Sequence, residues 1–207
     1  MTSSNVTWHP GEVTRQERAT RFGGQGATLW LTGLSGSGKS TLAVAVEQQL
    51  VADGRNAYRL DGDNLRSGLN GDLDFSREAR NENIRRTAEV ACLFADAGLV
   101  AIVAIISPYA ESRLRARQMH ERAGLPFVEI YMAAPAHLCA TRDPKGLYAQ
   151  ASEGTIESFT GIDDPYEVPT APDLTIDPST AIPDSVRAVI ATLVGDDNPE
   201  VRKGTAG

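Results

Sequence analysis

A chain of 207 residues, 41% apolar and 23% charged, has the size and balance of one globular domain with a full hydrophobic core. Its formal net charge of −7 argues against a general nucleic-acid or anionic-membrane surface, while leaving room for a small basic pocket. The longest apolar run, LVAIVAII at 99–106, falls well short of the ~20 residues of a membrane span. The two cysteines, Cys92 and Cys139, have no C-x-x-C partner and read as small buried hydrophobes in a reducing compartment. The opening MTSSNVTWHP has no apolar stretch of the kind a secretory leader needs, so the expectation is a cytoplasmic protein.

Residues 1–27 are polar and glycine-containing and read as an N-terminal arm laid on the domain. ATLWLTG at 27–33 is β-rich and ends in glycine; LAVAVEQQLVADG at 42–54 is helical; NAYRLD at 56–61 is a short strand. NENIRRTAEVACLFADAG at 81–98 is an amphipathic helix stopped by Gly98. LVAIVAII is nearly continuous in apolar residues, as a strand covered on both faces must be. A charged helix at 111–124, strands at 126–132 and 173–177, and a helix at 182–195 complete the series. Strand and helix alternate throughout, which predicts an α/β fold with a parallel sheet flanked by helices on both faces. The expected domain is 28–195, with a flexible tail at 196–207. Within it, 143–172 is too long and too rich in Gly, Pro and Asp for a simple connection and reads as a mobile lid.

GLSGSGKS at 33–40 fits G-x-x-x-x-G-K-[ST], with a strand before it and a helix after it. This makes the fold a P-loop NTPase three-layer sandwich. Gly33, Gly36 and Gly38 let the backbone curl so that the amides of Leu34, Ser35, Ser37 and their neighbours, on to Thr41, point at phosphate oxygens. The helix N-terminus adds its dipole. Lys39 reaches the β- and γ-phosphates, and the Ser40 hydroxyl is placed for Mg²⁺. ATP with Mg²⁺ is the expected pairing.

Ligands of open α/β sheets bind beyond the carboxyl ends of the strands. Three such ends carry unusual polar residues: the glycine loop, DGDNLR at 61–66 and SPY at 107–109. Asp61 and Asp63, with Arg66 beside them, either form a solvated turn or line the crevice. In helix 81–98 the stripe Ile84, Ala88, Ala91, Ala95 projects back onto Arg80, with Asn83 beside it. A guanidinium there needs an anion, either a structural carboxylate or a ligand in the crevice. Phe75 and Phe159 sit in polar, turn-rich surroundings. They are core residues or aromatics that stack a base.

In chain order, GATLWLTGLSGSGKST, LDGDNLRSGLN, FSREARNENIRR, LFADAGLVAIVAIISPY, RDPKGLY and FTGIDDPYE together resemble the adenylyl-sulfate kinase (APS kinase) family, over about residues 5–177. The resemblance implies ATP-dependent phosphorylation of the 3′-hydroxyl of adenosine 5′-phosphosulfate (APS), giving 3′-phosphoadenosine 5′-phosphosulfate (PAPS). It places ATP on 33–40 with Arg142 near the adenine. It places APS on Arg66, Arg80, Asn83, Ile106, Ser107, Lys145 and Leu147, between Phe75 and Phe159. It further implies a phosphorylated intermediate on Ser107 in some accounts of the family, a functional link to ATP sulfurylase, and a homodimer. This chain departs from the family pattern at Ala79, in YMAAP, and in an acidic lid segment, ASEGTIESF. The expected mechanism is direct in-line transfer. Asp61 orients or deprotonates the hydroxyl, directly or within the magnesium shell, and Asp63 supports it. Lys39 neutralises the migrating group, helped by Arg142 and Lys145, and Arg66 holds the phosphosulfate. The rival readings are a P-loop kinase of another small hydroxyl compound and a non-catalytic nucleotide-binding subunit.

Overall fold

The computed structural model describes residues 7, 9, 11–143, 145–156 and 159–196. Most of the region assigned to the tail, and the first six residues of the arm, lie outside the described residues. The arm contains helix α1 (Arg15–Phe22), capped by Thr14 in a reciprocal box with Glu17. Strand β1 (Ala27–Thr32) leads through the glycine loop into α2 (Lys39–Ala52), and β2 (Ala57–Asp61) is followed by the short helix α3 (Gly62–Arg66). Then come α4 (Arg77–Asp96), β3 (Val100–Ala104), α5 (Ala110–Arg122), β4 (Phe127–Met132), α6 (Ala136–Arg142), α7 (Leu147–Ser152), β5 (Leu174–Ile176) and α8 (Ile182–Asp196).

The five strands are all parallel, in the order β2-β3-β1-β4-β5. Because β3 lies between β1 and β2, the β1–β2 connection runs to one side of β1 and the β3–β4 connection crosses to the other, and a crevice opens at the carboxyl ends of β1 and β3. Side-chain alternation along β1 divides the core. Leu29 and Leu31 pack with Leu42, Val46 and Leu50 of α2 and with Val189 and Leu193 of α8. Trp30 faces the other way, onto Ile84, Ala88 and Ala91 of α4 and Ala116 of α5. Helix α1 straps this second layer: Arg15 donates to the Ala123 and Gly124 carbonyls at 2.8 and 3.0 Å and to Asp96 at 2.9 Å.

Helix α4 begins at Arg77, four residues before the expected start at 81. Ser76 accepts from the Ala79 N–H at 3.2 Å and is itself anchored to Asp74. Arg80 and Asn83 are therefore firmly helical, one turn apart on one face. Gly98, at φ +95°, closes the other end as expected. The 143–172 segment is less irregular than its composition suggests, since it contains α7. Tyr148 and Phe159 pack there against Leu34 and Cys139.

Candidate active site

The crevice is one continuous cleft of about 1300 Å³. Its floor is the glycine loop. Gly36 has φ +76°, and a Cβ there would come within 2.9 Å of the Cys139 carbonyl, so only glycine fits. Lys39 is buried and donates to the Gly33 and Leu34 carbonyls at 2.9 and 2.7 Å. Burial pulls its pKa down to about 8. Ser35 to Thr41 line the cleft, whereas Gly33 and Leu34 lie behind it, Leu34 packed with Cys139, Tyr148 and Phe159.

Asp61 ends β2 and caps α3. Its Oδ1 accepts from the Asp63 N–H at 3.0 Å, and its Oδ2 accepts from the Ser40 hydroxyl at 2.7 Å and lies 3.0 Å from Arg59 Nη1. The DGDNLR segment is thus an ordered corner rather than a solvated turn. Asp63 is more exposed and pairs with Lys145, on the segment between α6 and α7. Among the described residues no group of three or more His, Cys, Asp and Glu side chains is arranged to hold a metal. One hydroxyl and one carboxylate side by side is a donor set that suits Mg²⁺, an ion that keeps most of its waters and binds substrate phosphates.

The far wall carries the arginines. Arg66 stacks over the Phe75 ring with its guanidinium carbon 4.3 Å from the centroid, and Arg80 lies at 6.0 Å from the same ring. Arg66 donates to the Leu73 and Asp74 carbonyls at 2.9 and 3.1 Å. Burial and the neighbouring Arg80 charge pull its pKa below the usual guanidinium range. Arg80 donates to the Phe75 carbonyl at 2.9 Å and to Thr160, with Asp164 at 4.0 Å. It therefore takes structural partners and still borders the cleft. The two phenylalanines differ sharply. Phe75 is 57% exposed, while Phe159 is 7% exposed and meets Tyr148 edge-on at 4.9 Å. Phe159 is at once a core residue and a cleft wall.

Ile106 and Ser107 border the cleft, but the Ser107 hydroxyl is committed to the fold. It accepts from Trp30 Nε1 at 3.2 Å and donates to Thr32 at 2.8 Å. The backbone at Ser107 is left-handed, φ +41°, a strained conformation for a residue with a side chain. Arg113, buried on α5, donates to its carbonyl at 2.7 Å. Arg142 lies at the other end, with Nη2 3.5 Å from the Pro178 carbonyl; Lys145 and Leu147 also line the cleft.

Several cleft residues were missed by sequence reasoning. Pro178, Thr180 and Ala181, on the segment after β5, and Ser185 in the first turn of α8 line the cleft. That segment is also a strand's carboxyl end, and the same rule that drew attention to DGDNLR points to it. Arg59 and Thr160 had no comparable local signal.

The chain matches the family description "Adenylylsulphate kinase" over residues 25–177. It is 54% identical over 199 residues to an adenylyl-sulfate kinase of Penicillium chrysogenum, covering 92% of this chain and 94% of that one. It is 55% identical over 172 residues to an adenylyl-sulfate kinase of Saccharomyces cerevisiae, covering 83% and 85%. Among solved structures, a Mycobacterium tuberculosis APS kinase in complex with AMPPNP and APS superposes with a TM-score of 0.80 at 51% identity, covering 82% of this chain and 98% of that one. A glycine cradle, a carboxylate corner and an arginine wall within one cleft, on a chain this similar to those enzymes, lead to one conclusion: the chain belongs to the adenylylsulphate kinase family.

Proposed function

We infer that the chain transfers the γ-phosphoryl group of ATP to the 3′-hydroxyl of APS, giving ADP and PAPS. The observation that carries this reading is the single cleft joining a Walker A loop to an arginine pair that flanks an exposed phenylalanine. A half-buried and a buried guanidinium, Arg66 and Arg80, that repel each other are suited to an anion, and a bidentate fork fits a phosphosulfate better than an ammonium would. The adenine of APS stacks on Phe75, with Phe159 closing the opposite side. The adenine of ATP lies between Arg142 and the segment after β5.

Phosphoryl transfer passes through a loose transition state, so charge neutralisation and alignment dominate. Lys39 leaves the Gly33 and Leu34 carbonyls for the β- and γ-phosphate oxygens. Asp61 orients the 3′-hydroxyl and takes its proton; Asp63 holds Lys145 at the lid edge, where its ammonium faces the migrating group. Ser40 and Asp61 would hold Mg²⁺, which supplies charge neutralisation on the nucleotide phosphates when bound. Ser107 serves as wall rather than phosphoryl acceptor, since its hydroxyl is already held between Trp30 and Thr32. Family membership supports a homodimer and a functional link to an ATP sulfurylase. A cytoplasmic location accords with the absence, among the described residues, of any helix long and apolar enough to cross a membrane.

A coupled ADP-release assay with APS, AMP, gluconate or no acceptor tests the reading. Release should depend on APS; release indifferent to APS, or driven equally by gluconate, refutes it.

A further inference from the structure

The turn after α3 carries an asparagine that neither the glycine loop nor the arginine wall accounts for. Asn70 is 0% exposed. Its backbone is pinned on both sides: its N–H donates to the Leu65 carbonyl at 2.8 Å, and its carbonyl accepts from Leu73 at 3.2 Å. Arg86 of α4 holds the adjoining Leu69 carbonyl at 3.1 Å and the Asp72 carboxylate at 2.7 and 2.9 Å. The Asn70 side chain is thus delivered to one place. There its Nδ2 donates to Asn83 Oδ1 at 2.9 Å. Its own Oδ1 is buried and takes no partner.

A hydrogen bond between two primary amides can run either way. An unpaired buried polar atom is unfavourable, and either direction leaves one at Asn70, its Oδ1 as here or its NH₂ in reverse, so what distinguishes the two directions lies at Asn83. With its Oδ1 occupied, Asn83 has its NH₂ group left over, and Asn83 borders the cleft together with Arg66 and Arg80. Run the other way, the pair would leave the Asn83 carbonyl for the cleft. A carbonyl oxygen beside the two guanidinia would compete with an anion for them; an NH₂ group adds another donor.

We propose that Asn70 is a positioning residue of the acceptor site, fixing the Asn83 amide so that its NH₂ group faces the anionic end of the acceptor. This rests on the acceptor reading given above. Its test uses Asn83→Ala, Asn70→Ala, the double variant and Asn70→Asp, with KM measured for APS and for ATP and thermal unfolding recorded for each. Asn83→Ala should raise the KM for APS about tenfold or more, the scale of one hydrogen bond to a charged group. Asn70→Ala should raise it several-fold alone and add nothing on the Asn83→Ala background, because residues acting through one another are not additive. Asn70→Asp keeps the size but can only accept, so it should turn Asn83 around and raise the KM for APS at least as far as Asn70→Ala does. The KM for ATP should stay near the wild-type value in all four.

A KM for APS in Asn70→Asp equal to or below wild type overturns the proposal and leaves the acceptor reading standing. So does full additivity in the double variant, or a parallel rise in the KM for ATP. An unchanged KM for APS in Asn83→Ala overturns both.

Discussion

Replacing Arg113 with methionine is the sharpest test of how the acceptor wall is held. Arg113 is 3% exposed on α5 and uses all three guanidinium nitrogens. Nε donates to Glu129 of β4 at 2.8 Å, Nη1 to the Ser107 carbonyl at 2.7 Å and Nη2 to the Glu167 carbonyl at 2.6 Å. It thereby ties the strained Ser107 turn to the segment that carries Phe159 and Thr160. Removing one partner of a buried ion pair costs about 3–5 kcal/mol. Arg117 remains 3.7 Å from the other Glu129 oxygen, which favours the lower half of that range. The two carbonyls that lose a charged donor push it back up, at ~1–3 kcal/mol for each acceptor left unpaired, though not additively. A loss of about 4 kcal/mol is expected, serious against a total of ~5–15 kcal/mol. Urea unfolding followed by circular dichroism measures it. Adding Glu129→Leu should recover a kcal/mol or more, since the stranded carboxylate is the larger part of the penalty. In whatever fraction stays folded, the KM for APS should rise more than that for ATP. A loss under about 1 kcal/mol with an unchanged KM for APS would refute the reasoning.

Further outcomes follow from the same geometry. Asp61→Asn should lower kcat about 10²–10⁴-fold in steady-state kinetics, and full kcat would remove Asp61 from the role of base. Phe75→Ala should raise the KM for APS by the equivalent of ~1–3 kcal/mol of base stacking while leaving the urea midpoint nearly unchanged, because the ring is exposed. Phe159→Ala should cost both affinity and about 3–5 kcal/mol of stability, and equal behaviour of the two variants would contradict the contrast in burial. His120 is wholly buried, with Nε2 2.8 Å from the Thr28 hydroxyl and Nδ1 2.8 Å from the Ala116 carbonyl, and burial holds its pKa below the ordinary 6.5. The unfolded chain therefore takes up a proton that the folded one refuses. This stabilisation is complete above pH 6.5 and declines as pH falls below it, by at most about 1.4 kcal/mol per pH unit. Urea midpoints between pH 7.5 and 5.5 should fall more steeply in the wild type than in His120→Gln, and parallel slopes would refute the assignment.

The sequence by itself determined the parallel sheet, the order of its long helices and the glycine cradle. Those signals are local: apolar runs, a helical stripe, glycine at forced backbone positions, and strand ends that must open on the ligand side. Its errors were also local. The stripe begins at Ile84, so the helix was expected from 81, yet the Ser76 cap starts it at Arg77. Helices α3, α6 and α7, of 5, 7 and 6 residues, are too short to impose a period on the sequence.

What only the tertiary structure decided is which polar groups meet. Phe75 and Phe159 look alike in sequence, but one lies exposed beneath Arg66 and the other is wedged against Tyr148. The Ser107 hydroxyl is spent on Thr32, 75 residues away, and Arg113 reaches Glu167 across 54. Neither could be read from spacing, because a hydrogen bond between distant segments exists only once the sheet and its helices have brought them within 3 Å.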